Sequence, residues 1–124
     1  AVLLIVACLE LPLLTDLYFC AREVGLDVLI EVHNEEELEE ALTLESNLIG
    51  INNRNLHTFQ TNLDTTYRLL KLIPDDVQVV TESGIHSAEQ VAEMRQVNIN
   101  IFLVGEAFMR AKDPGLRLSS VFIV

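Results

Sequence analysis

Two kinds of residue in this sequence could do chemistry: polar side chains placed where apolar runs end, and the glycines that follow them. The stretch Val79-Val-Thr-Glu-Ser-Gly-Ile-His-Ser87 leads from β-branched residues into Glu82, then Ser83 and Gly84, then the helix cap Ser87. A carboxylate at a strand end can move protons, and exposed backbone N–H groups beside it can hold an anion. A weaker copy follows at Phe102-Leu-Val-Gly-Glu106. Glu31 and Asn52 lie at the ends of two earlier apolar runs. Gly84 and Gly105 let the backbone approach a ligand closely. Arg54 either binds an anionic group or pairs with a surface carboxylate. His33, His57 and His86 show no catalytic spacing, and no P-loop, dinucleotide fingerprint or nucleophile elbow is present.

These residues need elements that bring them to one place. Residues 1–9 form an apolar run that reads as a strand covered on both faces. Leu14, Leu17, Tyr18, Ala21 and Val24 then recur at helical spacing, and Gly25 suits the position that ends a helix. Residues 27–33 read as a second strand. Asn34 with Glu37 is a capping-box pattern, opening a helix whose inner stripe is Leu38, Ala41 and Leu42. The carboxylates around it read as a solvated face rather than a metal site. Residues 48–51 are a short third strand, and a polar loop separates it from a helix over 63–72 with Tyr67 and Leu70 inward. Residues 77–81 give a fourth strand. Ser87, with Gln90, caps a helix that buries Val91, Met94 and Val97. Residues 100–104 are a fifth strand, 107–111 a short helix, and Asp113-Pro-Gly115 opens a last one.

Alternation of this kind implies an α/β fold with parallel strands and helical crossovers, read here as one partial domain over residues 1–124. The C-terminal ends of such strands share a face, which places Glu31, Asn52 and Glu82 together. Two neighbouring glycine turns followed by a short helix fit the phosphate site that a (β/α)8 barrel builds after its seventh and eighth strands. On that count the chain opens at the fourth strand, and three strands are missing from the front.

Composition narrows the partners. A net charge of −11, with a pI near 4.5, argues against nucleic acid and anionic membranes. The opening apolar run has no basic residue before it and ends at Glu10, so it reads as a strand rather than a signal segment, and it is too short to span a bilayer. With no initiator methionine, the chain reads as a piece of something longer. Cys8 and Cys20 are expected as buried free thiols, which suits a reducing cytoplasm. No further cysteine or nearby histidine has ligand spacing, so no metal is expected.

Leu29-Ile-Glu-Val-His33, Leu48-Ile-Gly-Ile-Asn-Asn-Arg-Asn-Leu56, Val79-Val-Thr-Glu-Ser-Gly-Ile85 and Phe102-Leu-Val-Gly-Glu106 together resemble the C-terminal half of indole-3-glycerol-phosphate synthase. The resemblance covers nearly the whole chain and implies a partial (β/α)8 TIM barrel comprising strands four to eight. It also implies a cytoplasmic, decarboxylating lyase of tryptophan biosynthesis. That enzyme closes the indole ring of a carboxyphenylamino-deoxyribulose 5-phosphate with loss of carbon dioxide and water, and needs no cofactor. By resemblance, Glu31 assists proton transfer, Asn52 holds substrate hydroxyls beside Arg54, and Glu82 positions a catalytic lysine and contacts substrate. Ser83, Gly84, Gly105 and Glu106 match the loops that receive the phosphate, Glu106 through its backbone N–H.

The family's catalytic lysines belong to the half this sequence does not carry, and Lys71 and Lys112 fall in the wrong places to replace them. Little activity is therefore expected from the 124 residues alone. A half barrel would also leave its terminal strands as apolar edges, open to self-association or to the missing N-terminal half. The other readings are a phosphate-binding half barrel without catalysis and a different phosphate-binding (β/α)8 enzyme.

Overall fold

The computed structural model describes residues 1–122. Five strands alternate with helices: β1 (Val2–Ile5), α1 (Leu11–Glu23), β2 (Val28–Val32), α2 (Glu35–Thr43), β3 (Leu48–Asn52), α3 (Asp64–Leu70), β4 (Gln78–Glu82), α4 (Ala88–Gln96), β5 (Ile101–Leu103), α5 (Glu106–Met109) and α6 (Pro114–Phe122). All neighbouring strands are parallel, in the order β1-β2-β3-β4-β5. An order that never reverses, with every crossover packed on the same face, is the singly wound pattern of a barrel wall. Doubly wound sheets instead switch direction at a central crevice. The fold is a partial (β/α)8 barrel.

Alternation along the strands separates two faces. Leu4, Val28, Ile30, Val32, Ile49 and Ile51 point to the helices and join Leu14, Tyr18, Leu38, Ala41 and Leu69 in one core. Ile85, Val91, Met94, Ile99 and Val121 form a second core under α4 and α6. Among the described residues, the other sheet face carries no helix. There Leu3, Ile101 and Leu103 are 40–50% exposed, against essentially zero for Ile30, Ile49 and Ile51. Burying such surface is worth roughly 25 cal/mol per Å², so these side chains gain by being covered.

Local signals set the helix ends. Gly25 has φ +81°, and Leu26 N–H reaches Ala21 C=O at 2.9 Å, which closes α1. The Asn34 side chain accepts from Glu37 N–H at 2.9 Å, and Ser87 with Gln90 forms a full capping box. The Asp113 carboxylate accepts from Leu116 N–H at 3.0 Å and opens α6 after the proline-containing start.

Several expectations need correcting. The first strand is not a nine-residue run covered on both faces: it stops at Ile5, a 3-10 turn takes Val6–Cys8, and Leu3 faces the open side. Cys8 and Cys20 are exposed rather than buried. Cys8 lies past the strand end, and Cys20 is on the side of α1 away from Leu14, Tyr18 and Ala21. Leu17, Val24 and Val97 are likewise exposed. In α3 the fully buried residues are Thr66 and Leu69, while Tyr67 and Leu70 are half-buried against the second core.

Candidate active site

Parallel register brings the polar strand ends into two layers. Glu31 lies level with Gly50 and Val80, and one side-chain layer further on Asn52 lies level with Glu82 and Leu103. All of these point to the open face. Glu31 is 5% exposed and Glu82 1%. β3 separates their strands, and an ordinary side chain at Gly50 would stand between them. A Cβ at Gly50 would overlap Glu82 Oε1, so the glycine is the space in which Glu82 folds down toward Glu31.

The electrostatic result is a carboxylate pair that no lysine or arginine among the described residues touches. Burial first, and then the neighbouring Glu31, push the Glu82 carboxyl up to about 9. Neither Glu82 oxygen has a hydrogen-bond partner among the described residues. At neutral pH Glu82 is therefore held protonated beside Glu31. His33 continues the chain of groups, with Nε2 3.5 Å from Glu31 and Nδ1 3.0 Å from Glu37. The chain's lysines do not reach this place. Lys71 is exposed at the C-terminal end of α3, which returns to the opposite end of the sheet, and Lys112 follows α5.

A second group of residues lines the rim. The Asn52 side chain accepts from Arg54 N–H at 2.9 Å, which curls the β3 loop back over its own strand. Of the two readings its sequence allowed, Arg54 shows the pairing with a carboxylate, that of Glu106 across the sheet, and it does so while lining the cleft beside the site. Its Nη1 also donates to Phe59 C=O at 2.7 Å. Glu106 additionally holds Arg110 at 2.9 Å. Its side chain thus ties two arginines, whereas the sequence pointed only to its N–H. A cleft of about 590 Å³ opens between the β2 and β3 loops, lined by His33, Asn52, Arg54 and His57.

The turns after β4 and β5 are neighbours, joined by Ser83 N–H to Leu103 C=O at 3.3 Å. Ser83 and Gly84 both take left-handed backbone, φ +64° and +81°. For serine that conformation costs about 1–2 kcal/mol. Gly84 is also hemmed in, because a Cβ there would meet Leu63 and Thr61 at 3.2 and 3.3 Å. Gly105 precedes the first turn of α5. The structure therefore brings Ser83, Gly84, Gly105 and Glu106 to adjoining loops beside Glu82.

A family model described as indole-3-glycerol phosphate synthase matches residues 1–121. The chain belongs to the indole-3-glycerol phosphate synthase family. Relatives of that name are 60% identical in Polynucleobacter asymbioticus and 56% identical in Burkholderia cenocepacia, each over 98% of this chain. The chain spans 46% and 47% of those relatives, about half their length. Two solved structures share the fold at low identity. One is the Amycolatopsis orientalis BexX/CysO complex (TM-score 0.65, 20% identity, 90% of this chain and 46% of the other). The second is KGPDC from Streptococcus mutans (TM-score 0.61, 13% identity, 93% and 55%).

Two residues of this family member had no role assigned from its sequence. Gly50 stood inside an apolar strand, where only register shows that it faces Glu31. Asn53 passed as part of a polar loop, yet it is 2% exposed and hydrogen-bonded on every side.

Proposed function

We propose that these residues carry the C-terminal half of an indole-3-glycerol phosphate synthase site. The reaction is ring closure of a carboxyphenylamino-deoxyribulose 5-phosphate with loss of carbon dioxide and water. The observation that supports it most is the buried Glu31–Glu82 pair, which lies at the sheet's C-terminal edge with no lysine or arginine among the described residues paired to it.

In this reading Glu31 takes and returns protons in the later steps, Asn52 orients substrate hydroxyls, and Arg54 meets an anionic substrate group. Glu82 pairs with a lysine supplied by the preceding half of the barrel, which removes its excess proton and completes an acid–base couple. Ser83, Gly84, Gly105 and the Glu106 N–H receive the phosphate. No metal or organic cofactor is needed for these roles. Residues 1–124 act as one partial domain, in the cytoplasm, and their partner is the N-terminal half docked on the open face and on the β1 and β5 edges. No helix among the described residues is long and apolar enough to cross a membrane.

The test is complementation. The 124-residue chain is mixed with the N-terminal half of a family member, and indole-glycerol phosphate is followed by its indole fluorescence. Product only when both halves are present is the expected result. Turnover by the 124-residue chain alone, at the rate of a full-length family member, contradicts the division of labour. Phosphate binding without turnover in the mixture favours a binding module without catalysis.

A further inference from the structure

Asn53 sits at the centre of a closed polar ring. Its Oδ1 accepts from Thr66 Oγ1 at 2.7 Å and from Thr66 N–H at 3.2 Å. Its Nδ2 donates one proton to Thr81 Oγ1 at 2.9 Å and shares the other between the carbonyls of Glu82 and Ser83, both at 3.1 Å. Thr66 and Thr81 are 2.9 Å apart through their hydroxyls, and both are fully buried. The proton positions follow by elimination. The Thr66 hydroxyl proton points to Asn53, so Thr81 donates to Thr66 and accepts from Asn53, and each member gives one proton to the next. The backbone of Asn53 joins in, its N–H on Glu82 C=O at 2.9 Å and its C=O accepting from Asn62 N–H at 2.9 Å.

The contact with Ser83 C=O has a geometric consequence. In a trans peptide the C=O and the next N–H point in opposite directions. Holding Ser83 C=O against Asn53 turns Gly84 N–H to the opposite side of that peptide, away from the ring. Gly84 N–H makes no backbone hydrogen bond among the described residues. The same grip opposes relaxation of Ser83 out of its left-handed conformation.

We propose that Asn53 is a positioning residue of the anion site: it fixes the Ser83–Gly84 peptide so that Gly84 N–H is presented to a phosphate. This deepens the functional reading above and rests on its phosphate loops. Asn53 touches no substrate in this scheme, and its effect passes through the peptide it holds.

The experiment uses the 124-residue chain, labelled with 15N and 13C, with inorganic phosphate as the probe. In the wild type, the Gly84 amide resonance is expected to move with phosphate, and a scalar coupling across the hydrogen bond from the Asn53 amide nitrogen to the Ser83 carbonyl carbon is expected. Asn53→Ala is expected to weaken phosphate binding about tenfold and to shrink the Gly84 response. Thr66→Val breaks the ring but keeps the Ser83 contact. It is expected to lower stability while leaving phosphate affinity within about twofold. Equal loss of affinity in both variants assigns Asn53 a merely structural role and overturns the proposal. So does unchanged affinity in Asn53→Ala. If Asn53→Ala does not fold, the wild-type coupling and the Thr66→Val affinity decide. A missing coupling or a large Thr66→Val loss overturns the proposal. A wild-type Gly84 amide that ignores phosphate overturns the phosphate reading itself, whatever the coupling shows.

Discussion

Replacing Glu82 by glutamine keeps the side chain's shape and removes its charge, so it isolates the buried carboxyl. Glu82 is raised from an ordinary 4.5 to about 9 by burial and by Glu31. The folded chain therefore holds a proton that the unfolded chain releases in that interval. Stability from this group is fully present below pH 4.5, falls as pH rises toward 9, and is flat beyond. One proton gives a slope of at most about 1.4 kcal/mol per pH unit, and the whole interval a ceiling of about 6 kcal/mol. Water reaching the open sheet face lowers that ceiling. The assay is urea unfolding of wild type and Glu82→Gln at a series of pH values from 5 to 8, reading the difference between the two. Carboxylates remote from the Glu31–Glu82 pair cancel in that difference. Glutamine is expected to be near neutral at pH 5 and to stabilise by several kcal/mol at pH 8. A difference that stays constant across the series would show that Glu82 titrates as an ordinary carboxyl and is not held protonated by its surroundings.

Gly50→Ala forces Glu82 away from Glu31 and is expected to destabilise by about 1–3 kcal/mol. Combined with Glu82→Ala its cost should shrink, a non-additivity read by chemical denaturation. Asn34→Ala removes the α2 cap and is expected to cost about 1 kcal/mol in the same assay. Cys8 and Cys20 should both react with a thiol reagent in the folded chain at rates close to those in denaturant, because both are exposed. Protection of either would contradict its placement.

Much of the fold was legible because its signals are local. Helical spacing at Leu14, Tyr18 and Ala21, the left-handed Gly25, and the Asn34 and Ser87 caps act within a few residues, and each appears where the spacing puts it. The strand-end placement of Glu31, Asn52 and Glu82 was equally readable, since alternating elements leave those ends on one side. What escaped depends on which face meets what. An apolar run cannot reveal that Leu3 looks onto a helix-free side, or that Cys20 is on the outer side of α1. The role of Gly50 needs the register with Glu31, and that of Asn53 needs Thr66 and Thr81, which lie 13 and 28 residues away. Arg54 and Glu106 are 52 residues apart, so their pairing also appears only once β3 and β5 are placed.

The central claim is that Glu31 and Glu82 form half of an acid–base site whose cation arrives with the other half of the barrel. Carbon-13 NMR titration of the Glu82 carboxyl tests it most directly, in the 124-residue chain alone and with the N-terminal half added. A midpoint near 9 is expected in the chain alone, falling when the second half docks and brings its lysine beside the carboxylate. A midpoint in the ordinary glutamate range in the isolated chain, or one that docking leaves unmoved, would contradict it.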